Sequence, residues 1–258
     1  MRFLSDLLAC LRFYSRLPVP VLAWETQPHA MLDFAKAIRA LPLAGLIIAL
    51  PAAGLLYGAG KILPPELAAG LALSLFVLTT GAFHEDGLAD TADGFGGGRS
   101  IERKLEIMRD SRIGTFGGAA LVLSLLLRWA ALVALLKMGP GLAACALLGV
   151  AGLSRWCGLL PLALLPAART DGAAFAAERP QLLALLIALA LSLALLALPW
   201  AAGLPLTRLI LAALLAGVAA AAMAAISRRQ IKGQTGDVAG AAQQLAEITF
   251  LLTLLLRI

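Results

Sequence analysis

The chain has 258 residues, of which 61% are apolar, and its formal net charge at pH 7 is +6. Soluble domains contain about 45–50% apolar residues. This composition, with a mean hydropathy of +0.91, excludes an ordinary soluble domain and indicates a polytopic α-helical membrane protein. The Leu- and Ala-rich runs do not alternate as the strands of a transmembrane barrel would. In a membrane protein, the positive charge is better explained by loops that set topology than by nucleic-acid binding.

Residues 1–17 predict an amphipathic helix that lies on the membrane surface. Apolar residues such as Phe3 and Leu7 recur at helical spacing, with charged residues between them. No small-residue cleavage site follows, so a signal peptide is not expected. Pro18 and Pro20 are expected to end the helix, because proline removes a helical hydrogen bond.

Seven apolar segments are predicted to cross the membrane. They cover residues 41–60, 67–83, 115–136, 142–165, 181–199, 206–226 and 245–256. The last segment is short, since a bilayer needs about 20 residues. It spans only if its helix begins near Ala239, which would place Gln243, Gln244 and Glu247 in its first turns. The chain is thus predicted to be a single all-α integral-membrane domain, residues 1–258.

Lys and Arg are unequally distributed between the two sides of this topology. Residues 1–40 and the loops 84–114, 166–180 and 227–244 contain fifteen of them, whereas the opposite side contains four. The positive-inside rule therefore places the N-terminus and these loops in the cytoplasm, with the protein in the inner membrane. Segments 83–118 and 227–244 can then contribute to one cytoplasmic site.

Three carboxylates in the segment HEDGLADTADGFGGG predict a metal site. Asp86, Asp90 and Asp93 are spaced i, i+4, i+7, so a helix continuing from the second span would carry them on one face. Aligned acids repel one another unless a cation binds them. Mg²⁺ takes oxygen ligands and commonly bridges carboxylates to phosphates. The alternative is a solvated acidic helix end whose charge is offset by nearby arginines.

Three other residues are candidates for the same site. His84 fits a metal ligand, a substrate or proton-transfer group, or a structural hydrogen-bonding side chain. Glu85 points away from the acidic face and is expected to support the ligands or to be solvated. Asp237 lies in GQTGDVAGA, where glycines allow the backbone to approach a ligand closely, so it is predicted to be a metal ligand or a base.

Basic residues follow the acidic segment and suit a phosphate-bearing substrate. Arg109 and Arg112 flank Asp110, and arginine forks can bind diphosphate oxygens and offset charge on a leaving phosphate. Topology and contact with lipid headgroups explain three earlier residues: Arg99, Arg103 and Lys104. The glycines at 96–98 are too weak a signal for a phosphate cradle and fit a flexible turn.

Two arginines lie inside predicted spans, where an ionisable group usually indicates function or a buried partner. Arg155, beside Ser154, is predicted to contact substrate. Arg128 is predicted to form a structural pair or to extend to the membrane surface.

These motifs resemble the signature of the cobalamin synthase family, also called the adenosylcobinamide-GDP ribazoletransferases. HEDGLADTADGFGGG and LEIMRDSRIGTFGG are the specific motifs, and GQTGDVAGAAQQLAE, RLPVP and the Ser154–Arg155 pair also resemble the family. The resemblance covers nearly the whole chain. An apolar residue usually stands in the family at the position of Glu85, so no essential role is expected for that residue.

The resemblance implies a Mg²⁺-dependent transferase of late cobalamin biosynthesis. A ribose hydroxyl of α-ribazole, or of its 5′-phosphate, would attack the corrinoid-side phosphorus of adenosylcobinamide-GDP. GMP would leave, and adenosylcobalamin or its 5′-phosphate would form. The implied partners are these small molecules and the lipid bilayer, without nucleic acid, and a homo-oligomer remains open.

On this basis the site residues have the following predicted roles. The metal ligands are Asp86, Asp90 and Asp93, and the base is Asp93 or Asp237, with His84 as a further catalytic candidate. The substrate-binding residues are Arg109, Asp110, Arg112 and Arg155.

Two other functions fit parts of the pattern less well. Lipid-forming CDP-alcohol phosphotransferases also use a DGxxA core, but there Arg normally follows the Ala, whereas here Asp90 follows Ala89. The first Asp of that family would fall on Phe83. An ion-coupled transporter would generally place its acids near the bilayer midplane on broken helices. Here the acids are predicted at a cytoplasmic helix end.

Overall fold

The computed structural model describes residues 2–25, 33–169 and 179–256, and it confirms an all-α membrane fold. The helices are α1 (Arg2–Tyr14), α2 (Phe34–Ala37), α3 (Leu41–Ala59), α4 (Pro65–Thr80), α5 (Phe83–Gly97), α6 (Ile101–Ile107), α7 (Thr115–Met138), α8 (Pro140–Gly158), α9 (Leu160–Leu164), α10 (Leu182–Leu195), α11 (Ala197–Ala201), α12 (Leu206–Ile231) and α13 (Gly236–Thr253). A 3₁₀ turn, Ile38–Ala40, joins α2 to α3.

Several helices are long and apolar enough to cross a bilayer. Five such runs occur in the described residues: Phe34–Ala59, Thr115–Met138, Pro140–Leu164, Leu182–Ala201 and Leu206–Ile231. Helices α4 and α5 pass the same test only as a pair, which gives up to six spans. The predicted count of seven is therefore approximate. The predicted seventh span is α13, which contains two acids and is largely buried in the bundle.

The apolar helices differ in how much they are covered by protein. The most apolar stretch of Pro140–Leu164, which contains α8, is 78% buried by protein. The corresponding stretches of Leu182–Ala201 and Leu206–Ile231, which contain α10 and α12, are 28% and 33% buried. Exposed side chains on the outer helices include Leu186, Leu214 and Val218. Such faces are unfavourable in water but suit lipid, so α8 is a central helix and α10 and α12 are peripheral.

Small residues allow α3 and α8 to pack closely. Ala44, Ala49 and Ala52 are fully buried on α3. A Cβ at Gly45 would lie 2.5 Å from the Ala151 carbonyl oxygen, so glycine is required where the two backbones approach. Close packing of small residues is a usual basis of helix association in membranes, where lipid provides no hydrophobic drive.

The predicted N-terminal amphipathic helix is confirmed as α1. Leu8, Leu11 and Tyr14 are buried on one face, whereas Phe3 and Phe13 are exposed. The helix ends at Tyr14, before the two prolines. Its position on a membrane surface stays a prediction.

The acidic segment does not continue the helix before it, which corrects the sequence-based expectation. Gly81 and Ala82 both have left-handed backbone conformations, with φ of 66° and 57°, and α5 leaves α4 at 85°. A Cβ at Gly81 would lie 2.6 Å from Nε of Arg16. The Arg16 amide also donates to the Thr79 carbonyl at 2.8 Å. The segment after α1 therefore packs against this corner.

Segments that the charge distribution assigned to one side meet at one end of the bundle. The amide of Ala168 donates to the Gln234 carbonyl at 2.9 Å, and the amide of Gln234 donates to the Pro166 carbonyl at the same distance. Lys104 of α6 hydrogen-bonds the side chain of Gln230 at the end of α12. The rest of the predicted loop, residues 170–178, lies outside the described residues.

Candidate active site

The acidic face of α5 is completed by the first turn of α13. A Cβ at Gly87 would lie 2.9 Å from the Asp237 carbonyl oxygen and 3.3 Å from the Gly240 Cα, so glycines allow the two helices to touch. The negative charges of Asp86, Asp237 and Asp93 all act on the Asp90 carboxyl group. The prediction that Asp237 joins the acids is therefore supported by proximity.

These carboxylates are suited to a hard cation. Asp86 is exposed and Asp90 is half-buried, so both can be reached from solvent. Among the described residues, no three His, Cys, Asp or Glu side chains are arranged to hold a metal ion by themselves. Mg²⁺ usually takes one or two carboxylates together with substrate phosphates and water. The donor chemistry fits the ion, and the metal assignments stay predictions.

Asp93 differs from the other acids because both of its oxygens accept backbone hydrogen bonds. The amide of Gly114 donates to one at 2.7 Å, and that of Gly117 donates to the other at 2.8 Å. These amides belong to the beginning of α7, where N–H groups lack helical partners and carboxylates are favourable. Asp93 therefore anchors α7 to α5, and a role for it as metal ligand or base stays a prediction.

The glycines after Asp93 are packing positions. A Cβ at Gly94 would lie 2.4 Å from the Met108 side chain, and one at Gly98 would lie 2.4 Å from that of Lys104. Helix α5 continues through Gly97. The expected turn at residues 96–98 therefore begins only at Gly98, and the glycines fit the end of α5 against α6 and α7.

Asp237 is held by contacts from its own predicted loop, 227–244, and from Arg169 of the predicted loop 166–180. Thr235 caps α13 by accepting from the Val238 amide, and its hydroxyl donates to Oδ2 of Asp237 at 3.1 Å. Nη2 of Arg169 lies 3.2 Å from the same oxygen. A Cβ at Gly233 would clash with Pro166 and Ala168 at 2.6–2.8 Å, so glycine lets this loop approach.

Burial and these contacts shift the pKa of the Asp237 carboxyl group in opposite directions. Burial raises the pKa of its carboxyl group above the usual value, whereas the Arg169 guanidinium and the Thr235 hydroxyl lower it. A carboxylate with a raised pKa is better suited to accept a proton near neutral pH. Arg169 had been counted only as loop charge, and no local signal in the sequence would have paired it with Asp237.

An open cleft of about 500 Å³ adjoins the acidic face. It is lined by the end of α5, by α6, by the loop 108–114 and by the start of α7. Its charged lining residues are Asp93, Arg103, Glu106, Arg109, Asp110 and Arg112. Asp93 is therefore common to the acidic face and the cleft.

Asp110 and Arg112 form an exposed pair at this cleft. Nε and Nη2 of Arg112 donate to the Asp110 carboxylate at 2.6–3.1 Å, and the side chain of Arg112 is 87% exposed. These hydrogen bonds lower the pKa of Asp110 to about 2. Asp110 thus orients Arg112. The structure brings Arg109, Asp110 and Arg112 together at the cleft, and substrate binding by them stays a prediction.

His84 and Arg155 are located in the interior of the bundle. The His84 ring is 5% exposed, stacks on Tyr14 at 5.9 Å between ring centroids and meets Phe83 edge-on. Arg155 is 2% exposed, and its Nη1 donates to the Ala151 carbonyl at 2.8 Å. Its Nε and Nη2 have no hydrogen-bond partner in the described residues. Neither residue lines the cleft, and their catalytic and substrate roles stay predictions.

A buried polar cluster lies behind the acidic face. Nη1 of Arg128 donates to Glu85 at 2.6 Å, and its Nε lies 2.8 Å from Glu247 without an aligned hydrogen bond. Gln244 donates to Glu85 at 3.3 Å, and Gln243 donates to Glu247 at 2.7 Å. Arg128 thus joins α5 to α13. The predicted structural pair of Arg128 is confirmed.

The structure excludes one of the two environments predicted for Glu85. Glu85 is 3% exposed and paired with Arg128, so it is not solvated. The buried partners Gln243, Gln244 and Glu247 were expected only in the first turns of a last span. The signal that could have identified them was the pair of arginines within predicted spans, which must find buried partners.

The chain is similar along nearly its whole length to known proteins. The family described as cobalamin-5-phosphate synthase matches residues 6–255. Three relatives are each named adenosylcobinamide-GDP ribazoletransferase. That of Azorhizobium caulinodans is 52% identical, covering 99% of this chain and 97% of its own; that of Xanthobacter autotrophicus is 48% identical, covering 99% and 97%; that of Bradyrhizobium diazoefficiens is 44% identical, covering 96% and 92%.

Comparison with solved structures gives no match. The sequence similarity alone establishes the family, because the family match covers residues 6–255 and the identities exceed 40% across almost the full length of each relative. The chain therefore belongs to the cobalamin-5-phosphate synthase family, and it is a multi-pass membrane transferase of cobalamin biosynthesis.

Proposed function

We propose that this chain is a Mg²⁺-dependent adenosylcobinamide-GDP ribazoletransferase. It joins the adenosylcobinamide phosphate moiety to α-ribazole or α-ribazole 5′-phosphate and releases GMP. The observation that carries the proposal is the juxtaposition of a four-carboxylate face with a cleft that contains three arginines and three acids, linked by Asp93. A diphosphate substrate requires both features, since its oxygens need a cation and its leaving group develops negative charge.

The proton of the attacking hydroxyl group is taken up by Asp237. Its Oδ2 is held by Thr235 and Arg169, so the proton would be accepted at Oδ1. The new bond forms between the ribose oxygen and the corrinoid-side phosphorus, and the bond from that phosphorus to the bridging oxygen of GMP breaks. Asp93, bonded to α7, supports catalysis by holding the acidic face against the cleft.

Asp86 and Asp90 are the residues that would hold Mg²⁺, and the ion would supply Lewis-acid stabilisation of the diphosphate. Arg109 and Arg112 act at the opposite end, where the leaving phosphate gains charge. The abundance of Lys and Arg in segments that meet at this end of the bundle supports an inner-membrane location with the site facing the cytoplasm.

Release of GMP tests the proposal directly. Purified protein in detergent, given Mg²⁺, adenosylcobinamide-GDP and α-ribazole 5′-phosphate, is expected to release GMP and form the joined corrinoid product. The absence of GMP under these conditions, together with CMP release from CDP-diacylglycerol, would overturn the proposal in favour of lipid synthesis.

Arg169→Gln is expected to shift the acid limb of the pH–kcat profile to higher pH. The base acts in its ionised form, so activity falls as pH falls through its pKa. Arg169 lowers the pKa of Asp237, so its removal raises that pKa further. Arg179→Gln is the matched control, since Arg179 is exposed and donates to the Ala163 carbonyl. An unshifted acid limb in Arg169→Gln would argue against Asp237 as the base.

Gly117→Ala is expected to lower kcat about a hundredfold, the usual effect of displacing a catalytic group by about 1 Å. The added Cβ would lie 2.2 Å from Oδ2 of Asp93 and 2.8 Å from the Ala89 carbonyl oxygen, so α5 must move relative to α7. Gly118→Ala provides the control, because a Cβ there meets nothing within 4 Å. Equal activities of the two variants in the GMP-release assay would contradict the role given to the Asp93 anchor.

A further inference from the structure

One wall of the cleft is an aromatic ring. Phe116, in the first turn of α7, lines the cleft and is 56% exposed. A Cβ at Gly96 would lie 2.5–2.8 Å from three atoms of this ring. One side of the ring therefore rests on the backbone of α5, where only glycine leaves room, and another side remains open to the cleft. A ring supported in this way is a platform on which a planar base can stack.

The phosphate end of the cleft lies next to the ring. Arg112 is oriented by Asp110 through Nε and Nη2, which leaves Nη1 available for an anion. Arg109 lines the same cleft, as does Arg103, which is paired with Glu106 at 2.6 Å. A volume of about 500 Å³ lies within the range of about 300–1,000 Å³ that is usual for small-molecule sites.

The two ends of α5 lie at different parts of the site. Gly87 touches Asp237, whereas Asp93 and Gly97 border the cleft. Ten residues of helix separate Gly87 from Gly97, a distance of about 15 Å. In phosphoryl transfer the attacking and leaving oxygens lie roughly in line on opposite sides of the phosphorus. With the base at the Asp237 end, the leaving group belongs at the cleft end.

We propose that this cleft binds the nucleoside monophosphate half of the activated substrate, with its base stacked on Phe116 and its phosphate next to Arg109 and Arg112. The inference rests on the proposed function, because it gives a place to the leaving group of that reaction. The acceptor nucleoside, which also carries an aromatic base, binds at the Asp237 end instead.

The test is GMP binding by purified full-length protein in detergent with Mg²⁺, measured by calorimetry. Phe116→Leu is expected to weaken GMP binding about tenfold, the effect of losing one base stack. Phe116→Trp retains the affinity. Phe3→Leu is the matched control, since Phe3 is an exposed phenylalanine on α1 and does not line the cleft. Binding of inorganic pyrophosphate and of α-ribazole 5′-phosphate stays unchanged in Phe116→Leu, because neither uses the ring.

Two results of the binding measurement would overturn the nucleotide site. One is a GMP affinity in Phe116→Leu within twofold of the wild-type value. The other is a loss of affinity for α-ribazole 5′-phosphate in that variant, which would assign the cleft to the acceptor.

Different results would contradict the proposed transferase function. Phe116-dependent GMP binding without turnover of adenosylcobinamide-GDP would overturn the function and support the nucleotide site. Normal turnover with an unchanged KM for adenosylcobinamide-GDP in Phe116→Leu would overturn the site and support the function.

Discussion

Asp90→Asn is expected to reduce GMP release by at least about a thousandfold, because a neutral amide binds Mg²⁺ more weakly than a carboxylate and the charge of the diphosphate would then lack its cation. Asp90 lies among Asp86, Asp93 and Asp237, whose charges all act on it. Asp33→Asn is a matched control. Asp33 is an exposed acid that is paired with Lys36, and it is distant from Asp90 in the sequence. Activity near wild type in Asp90→Asn would remove this residue from the metal site.

A thermal-unfolding measurement separates loss of the metal from loss of the fold. Mg²⁺ is expected to raise the Tm of the wild-type protein, because a ligand that binds only the folded state stabilises it. In Asp90→Asn this response should largely disappear. Without Mg²⁺, the variant should melt no lower than wild type, since one of four mutually repelling charges is gone. An unchanged response to Mg²⁺ would favour the alternative of a merely solvated acidic helix end.

The fold class and most helices could be predicted because apolar length and composition are local properties. The break at Gly81 and Ala82 could not, since nothing in the residue types demands two successive left-handed conformations, and Ala rarely adopts one. The last span was predicted from apolar residues, but α13 is held in the bundle by contacts of its polar side chains with α5 and α7.

The acidic face of the site could be predicted because a spacing of i, i+4, i+7 fixes the side of a helix. Asp237 was placed near it by charge distribution, and Gly87 and Gly240 provide the physical contact. Arg169 and Phe116 could not be predicted, since each acts through a partner distant in sequence. Asp93 was predicted by its spacing, but its bonds to α7 depend on tertiary packing.

Arg128→Met is expected to lower the free energy of unfolding by about 3–5 kcal/mol, because it leaves buried carboxylates without their cation. The side chains of Arg128, Glu85 and Glu247 are 1%, 4% and 1% exposed, so no solvent compensates for the loss. The measurement is reversible unfolding in detergent. Lys137→Gln on the same helix is the control, since its pair with Glu66 is half-exposed and should contribute little to Tm.

A second substitution distinguishes lost charge balance from lost packing. Arg155 also interacts through its charge with Glu85 and Glu247, so two buried arginines balance two buried glutamates. Arg128→Met therefore leaves one excess negative charge. Adding Glu247→Gln restores neutrality, and the double variant is expected to be more stable than the sum of the single effects predicts. Arg128 joins α5, which carries Asp86 and Asp90, to α13, which carries Asp237. Additive single effects would show that Arg128 stabilises the bundle by packing and not by linking these two helices through charge.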